Sequence, residues 1–212
     1  MSINSPSMTY AELNEFARRH HRATLFLRAA TFDYADARCL ILNGLLGGLA
    51  SGAQAMEKLL KAYLLFQDPS KNVKRILHKL PDLLAEVARI YPNLDFSPFR
   101  ETASKFEKHY ASRYPDSPNA STSMTGQDIH ELDEFVIFLN ENLPCPRAVR
   151  YRAGMYALIT ISLEFAGTVT PWEFWIKSEN RSLTLLIAKI NAEAKEVVQE
   201  LYPDQDLKGI FA

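Results

Sequence analysis

The stretch from Leu49 to Phe66 constrains this chain more than any other. Leu49, Ala53, Met56, Leu60, Tyr63 and Leu64 recur at three- and four-residue steps, while Gln54, Glu57, Lys58 and Lys61 lie towards the other side. That period belongs to an α-helix with one apolar stripe, which other elements must cover. Asp68-Pro69-Ser70-Lys71-Asn72 ends the helix. Upstream, Asn43-Gly44-Leu45-Leu46-Gly47-Gly48 reads as a turn, because its glycines weaken a continuous helix.

The neighbouring segments repeat the helical period. From Thr9 to Leu42 the residues favour helix, with no internal Pro or Gly, and allow a break near Thr31–Asp33 from which a second helix runs to Leu42. A further helix is predicted from Val73 to Tyr91, with Leu80, Leu83, Leu84, Val87 and Ile90 buried and Pro81 in the first turn of its main segment. Ser97-Pro98 starts another that runs to Tyr110. Residues 115–123 form a small-polar loop, after which Thr125-Gly126-Gln127-Asp128 caps a helix on the stripe Ile129, Leu132, Phe135, Val136 and Leu139.

Pro144-Cys145-Pro146 marks a boundary, and the period then changes. Ile159, Ile161, Leu163 and Phe165 alternate with Thr160, Ser162 and Glu164, and Trp172, Phe174 and Ile176 alternate again. This predicts a small antiparallel sheet over Ala148–Lys177, followed by a last helix from Arg181 to Tyr202. The expected fold class is mainly α, an antiparallel helical bundle with a small C-terminal antiparallel sheet plus helix. Trp172, Phe174 and Trp175 form either the core of that appendage or a docking surface for a protein partner.

Composition narrows the function. With 47% hydrophobic and 23% charged residues the chain can build a core, and its net charge of −1 provides no global field for nucleic acid. An RNA contact would need a local basic patch. Cys39 and Cys145 are too few for a disulfide framework, and neither has a partner at metal-ligand spacing. The N-terminus lacks the order of a secretory signal, and the longest apolar runs fall short of a membrane span. We therefore expect a soluble, cytoplasmic protein without membrane contact, in which the sequons at Asn119 and Asn180 have no meaning.

Few residues point to chemistry. Glu57 and Lys61 stand at i,i+4 in the favourable order, which reads as a solvated pair. His78 opens a helix, where it can pack, hydrogen-bond a turn, or titrate near the mouth of the bundle. Arg113 sits where a helix runs out, between Tyr110 and Tyr114, and either satisfies terminal carbonyls or meets a phosphate. His109 precedes it by four residues and shares its helical face. His130 and Glu134, with Asp133 beside them, could supply two metal ligands but lack a third, so no metal or other cofactor is expected. Arg18-Arg19-His20-His21-Arg22 and the group Lys71, Lys74, Arg75 and Lys79 are basic clusters, more simply read as surface. No glycine-rich phosphate loop or Gly-x-Ser-x-Gly nucleophile is present.

Three pieces taken together resemble the HEPN domain (higher eukaryotes and prokaryotes nucleotide-binding) in order and spacing. They are Ala53-Gln54-Ala55-Met56-Glu57-Lys58-Leu59-Leu60-Lys61-Ala62, then His78-Lys79-Leu80-Pro81-Asp82-Leu83-Leu84, then Tyr110-Ala111-Ser112-Arg113-Tyr114-Pro115-Asp116. The resemblance spans residues 30–143, leaving 1–29 as an N-terminal helical extension and 147–212 as an α+β appendage. It implies an antiparallel bundle that pairs as a symmetric homodimer, with RNA or a nucleotide as ligand, in a stress-response, phage-defence or toxin–antitoxin setting. It places Glu57 and Lys61 in the central scaffold and makes Arg113, Lys61 and His78 the nucleotide- or RNA-binding candidates.

Ribonuclease members of that group carry an Arg followed about four to six residues later by a His, a pair that can deprotonate a 2′-OH and stabilise charge on the phosphate without a metal. Here the positions that follow a gap of four to six residues after Arg113 are Pro118, Asn119 and Ala120, so the motif is incomplete. The catalytic candidates are then Arg113 and His109, the latter on the wrong side for the family pattern. Three readings stay open: a binding protein with an incomplete catalytic pair, a metal-independent endoribonuclease using Arg113, and a non-catalytic dimeric interaction module.

Overall fold

The computed structural model describes residues 9–73, 79–111, 123–150, 176 and 178–184. Helix α1 (Tyr10–Arg19) starts at a capping box, in which Thr9 Oγ1 accepts from the Glu12 N–H at 3.3 Å and the Glu12 carboxylate accepts from the Thr9 N–H at 2.7 Å. It ends at His20, whose ring stacks on Phe16 at 4.0 Å, with Nδ1 2.9 Å from the Phe16 carbonyl oxygen.

Helix α2 (His21–Leu42) then runs unbroken through Thr31–Asp33, so the break lies at His20 and not where the sequence allowed it. Two contacts explain the shift. Thr31 donates its hydroxyl to the Leu27 carbonyl and stays within the helix, while His20 is drawn into the core against Phe16 and Phe66.

The predicted turn separates α2 from α3 (Gly47–Gln67), with Gly44 in the left-handed region at φ 75°. Helix α3 is the centre of the bundle and contacts α2, α4 (Leu80–Ile90), α5 (Arg100–Ala111) and α6 (Gly126–Glu141). All six residues of its predicted stripe are buried, and so is Lys61 on the side predicted to face water.

Pro81 sits in the first turn of α4 as expected, and Leu80, Leu83, Leu84 and Val87 are buried, whereas Ile90 is only half-buried. Val73 lies in a turn and the described helix begins at Leu80; residues 74–78 lie outside the described residues. The N-cap residue Lys79 makes no side-chain cap. Glu107 of α5 supplies one instead, accepting the Leu80 N–H at 2.8 Å. A 3₁₀ turn (Ser97–Phe99) leads into α5, and the α6 stripe is buried as predicted.

The C-terminal sheet is corrected at its start. Residues Arg147–Arg150 form a short helix, α7, because the N–H groups of Val149 and Arg150 both return to the Pro146 carbonyl. Among the described residues there is no strand, and most of the expected sheet, with Trp172, Phe174 and Trp175, lies outside them. Residues 181–184 are helical, matching the start of the last predicted helix, whose remainder also lies outside. No described helix is long and apolar enough to cross a membrane.

A buried polar network joins residues 176 and 178–184 to the bundle. Arg38, fully buried, pairs with Asp133 of α6 and donates to the Ser178 carbonyl. Tyr34 donates its hydroxyl to Asp133 at 2.6 Å and accepts from Asn180 Nδ2 at 2.7 Å. Burial pushes the Asp133 carboxyl above its ordinary value, with Arg38 and Tyr34 opposing the shift. Asn180 also accepts the Leu183 N–H at 2.9 Å, capping the terminal helix from within the core.

Removing one member of the buried ion pair leaves the other charge uncompensated. Asp133→Ala should cost about 3–5 kcal/mol in urea denaturation, and the paired replacement Arg38→Met with Asp133→Leu should recover most of that loss.

Candidate functional site

Helix α5 is amphipathic in a way that builds a site. Thr102, Ala103 and Phe106 turn inward, which leaves two rows at i,i+4 spacing: Arg100, Ser104 and Lys108 outermost, and Glu101, Lys105 and the buried His109 beside them. Facing these rows is the N-terminus of α6, which brings Thr125 and Asp128. Together with Ser123 they line an open cleft of about 520 Å³.

Asp128 organises the cleft. Its Oδ2 accepts the Thr125 N–H at 2.5 Å and the Thr125 hydroxyl at 2.9 Å, so the capping segment expected from sequence is present. Its Oδ1 faces Lys105 Nζ at 2.7 Å, and Lys105 also reaches Glu131 at 3.0 Å. Burial alone would raise the Asp128 pKa, but Lys105 and the Thr125 donors outweigh it and hold the carboxyl below its usual range. Burial likewise works against the Lys105 ammonium, and the bonds to Asp128 and Glu131 overcome it, so its pKa is raised. Both groups are therefore fixed in their charged forms. His109 Nε2 lies 3.7 Å from the same Asp128 oxygen, with its ring edge-on to Phe106 and only 2% of the residue exposed.

The structure separates the sequence candidates. His109 lines the cleft. Lys61 does not: it is buried on α3, 2.5 Å from Glu57, in a pair that the sequence read as solvated. Its neighbour Lys58 pairs with Asp33 of α2. Arg113 and His78 lie outside the described residues; Arg113 belongs to the segment 112–122 that links α5 to α6, the two walls of the cleft. Asp133, considered with His130 and Glu134 as a metal ligand, points into the core towards Tyr34 and Arg38.

The two basic clusters are partly spent on structure, His20 by stacking, Arg22 by donating to the Pro69 carbonyl, and Lys71 by pairing with Glu86. Arg100, Lys105, Lys108 and Asp128 were not singled out from sequence as binding residues. Their signal was there in the four-residue rows of α5, but the folding of α6 against those rows was not.

A sequence model of the HEPN domain matches residues 23–142, more than half of the chain. The chain belongs to the HEPN domain family. The match runs from the first turn of α2 to just past α6 and so contains both walls of the cleft, while α1 and the residues after 142 lie outside it. No curated protein and no solved structure matches the chain.

The electrostatics of this HEPN cleft give a signed prediction. A depressed carboxyl contributes stability above its unfolded pKa, about 3.9 for Asp, and loses it as pH falls through the folded value. Asp128→Ala should therefore lower stability by about 1–2 kcal/mol at neutral pH, the range of a helix N-terminal cap. In thermal melts across pH, the gap from wild type should narrow in acid, below about pH 4.

Proposed function

We propose that this HEPN protein binds the phosphate groups of RNA or a nucleotide in the α5–α6 cleft, with Arg113 as an additional contact. The observation that carries the reading is the lining itself. Arg100, Lys105 and Lys108 supply cations in one open groove that Ser104, Ser123 and Thr125 make polar. The Ser104 and Thr125 hydroxyls already donate to the Arg100 carbonyl and to Asp128. The groove lies between the two helices that the segment holding Arg113 connects in sequence. Lys105 contributes potential but keeps its ammonium on Asp128 and Glu131, so Arg100 and Lys108 are the cations exposed for contact. Glu101 and Asp128 offset part of the positive charge. Binding should accordingly be modest and salt-sensitive, in keeping with a chain whose net charge is −1.

One observation favours a second reading, metal-independent endoribonuclease activity. The cleft contains a histidine, His109, whose Nε2 is 3.7 Å from the buried Asp128 carboxylate. That is beyond hydrogen-bond distance but close enough that a small closing movement would let the carboxylate orient the imidazole as a general base. Arg113 would then stabilise the charge developing on phosphate. A role in stress response or phage defence is the setting consistent with either reading.

Fluorescence anisotropy with a labelled single-stranded RNA and with a mononucleotide tests the binding reading. Arg113→Ala and the double variant Arg100→Ala, Lys108→Ala should each weaken RNA binding by about tenfold, and the double variant should flatten the log–log salt dependence by about one to two. Lys61→Ala should leave the affinity of the folded protein unchanged, and an equal loss there would place the ligand elsewhere. Cleavage of the RNA in the presence of chelator by wild type, abolished by both Arg113→Ala and His109→Ala, would establish the ribonuclease. Absence of cleavage by wild type would remove it.

A further inference from the structure

The chain turns at His20 from α1 into α2, and the turn collects basic side chains. Arg18, Arg19, His21 and Arg22 stand within five residues, all exposed, and Arg28 follows less than two turns along α2. Residues 16–32 hold four arginines and two histidines and no Asp or Glu. Among the described residues none of the four arginines makes an ion pair. The carboxylates around the patch are otherwise engaged or stand outside it. Asp33 pairs with Lys58, Asp68 accepts the Ser70 N–H and hydroxyl, and Glu15 lies a turn before Arg18 on α1.

Two contacts hold the corner in place. His20, 6% exposed, stacks inward on Phe16 and meets Phe66, and Arg22 Nη1 donates to the Pro69 carbonyl at 2.9 Å. The second contact positions Arg22 without neutralising it. Helix α2 then begins with no acidic residue in its first turn and no side-chain cap, and the Thr24 N–H is the one that returns to the His20 carbonyl, at 3.2 Å. The positive end of a 22-residue helix therefore adds to the same cations. Cations at that end of a helix are unfavourable, and an anion outside the chain relieves them.

An apolar side chain stands among these charges. Leu25 is 51% exposed, one turn from both His21 and Arg28, on the side of α2 turned away from Ala23, Leu27 and Ala30. A nucleic-acid backbone gains nothing from a leucine between its cations, and the Phe16 and His20 rings at the turn stack on each other, not on a base. An anionic lipid surface uses both features, because its headgroups meet the arginines while an apolar side chain enters the acyl boundary.

We propose that the α1–α2 corner is a peripheral contact for an anionic lipid surface, with Arg18, Arg19, Arg22 and Arg28 at the headgroups and Leu25 entering the interface. Such adsorption requires no spanning helix. The corner lies at Pro69, just past the end of α3, whereas α5 meets α3 at Gly52, roughly 20 Å away along that helix. The contact is thus separate from the α5–α6 cleft and independent of what the cleft binds.

Co-sedimentation of the full chain with phosphatidylcholine vesicles, with and without phosphatidylserine as about a third of the lipid, provides the test. Circular dichroism confirms that each variant is folded. Each arginine near an anionic leaflet strengthens binding about fivefold. Wild type should therefore prefer the phosphatidylserine vesicles by at least about a hundredfold at low salt, and the preference should collapse near about 0.5 M salt. The double variant Arg18→Gln, Arg19→Gln should lose about twenty- to thirtyfold. Leu25→Gln, which changes no charge, should lose about five- to tenfold. Lys79→Gln, an exposed cation at the start of α4, should stay within about twofold of wild type.

Equal binding to the two kinds of vesicle, binding to neither, or full binding by the Arg18→Gln, Arg19→Gln variant would each overturn the proposal. Full binding by Leu25→Gln would do the same, since charge alone would then explain the contact. The same proteins tested against a labelled single-stranded RNA and against polyglutamate distinguish other polyanions. A loss on either of these from the Arg18→Gln, Arg19→Gln variant, without a loss on vesicles, would assign the corner to that polyanion and overturn the lipid contact.

Discussion

Everything in this bundle depends on burying α3. Met56, Leu60, Ala62, Tyr63, Leu64 and Leu65 have essentially no exposed surface, and residues on several sides of the helix are covered at once. A helix enclosed in this way must be approached closely, and two of its glycines permit that. A Cβ at Gly48 would stand 2.8 Å from the Ala37 carbonyl oxygen of α2, and one at Gly52 would stand 2.8 Å from the Phe106 ring of α5. The first contact is with backbone, which cannot swing aside, so α2 packs against α3 at that level only because the side chain is missing.

The position of α5 has consequences for the site. Phe106 against Gly52 fixes which face of α5 is inward, and the rows Arg100–Ser104–Lys108 and Glu101–Lys105–His109 then turn towards the start of α6. The same helix provides Glu107, which caps α4 across the interface. Helix α5 is thus locked on one side by packing, on another by the Glu107 carboxylate that accepts the Leu80 N–H of α4, and on a third by Lys105 bound to Asp128 and Glu131. A cleft held by three unrelated restraints needs little reorganisation to receive a ligand, which reduces the ordering cost of binding.

The sequence reveals helices through their period and turns through Gly and Pro, and here α3, the Gly44–Gly48 turn, Pro81 at the start of α4, the helix start at Ser97-Pro98 and the Thr125–Asp128 cap were all legible. It does not reveal which faces meet. Lys61 looked solvated because lysine usually is, yet α3 is enclosed and its charge is met internally by Glu57. Asp133 looked like a possible metal ligand because it stands near His130 and Glu134 in sequence, but its partners Tyr34 and Arg38 are about a hundred residues away. The helix break at His20 was missed for the same kind of reason, since it depends on Phe66 as well as on the local residues. His109 was found because its spacing to Arg113 is local. Lys105 with Asp128 was not, because that pair exists only once α5 and α6 are side by side.

The Tyr34–Arg38–Asp133–Asn180 network shows how a buried polar group can direct the chain rather than merely stabilise it. Asn180 lies within a sequon, yet it is 1% exposed, its amide donates to Tyr34 and to the Ile176 carbonyl, and its oxygen caps residue 183. Its partners combine two local backbone groups with the distant Tyr34 hydroxyl. Apolar residues of similar volume would fill the same space in several orientations with little difference in energy, whereas this set is satisfied in one arrangement. Asp133 could stay neutral in such surroundings, but Arg38 cannot, and a permanently charged guanidinium in a sealed core needs a carboxylate and a carbonyl in fixed places. Ser178 supplies that carbonyl, so the position of residues 178–184 on the bundle follows from where Arg38 lies on α2.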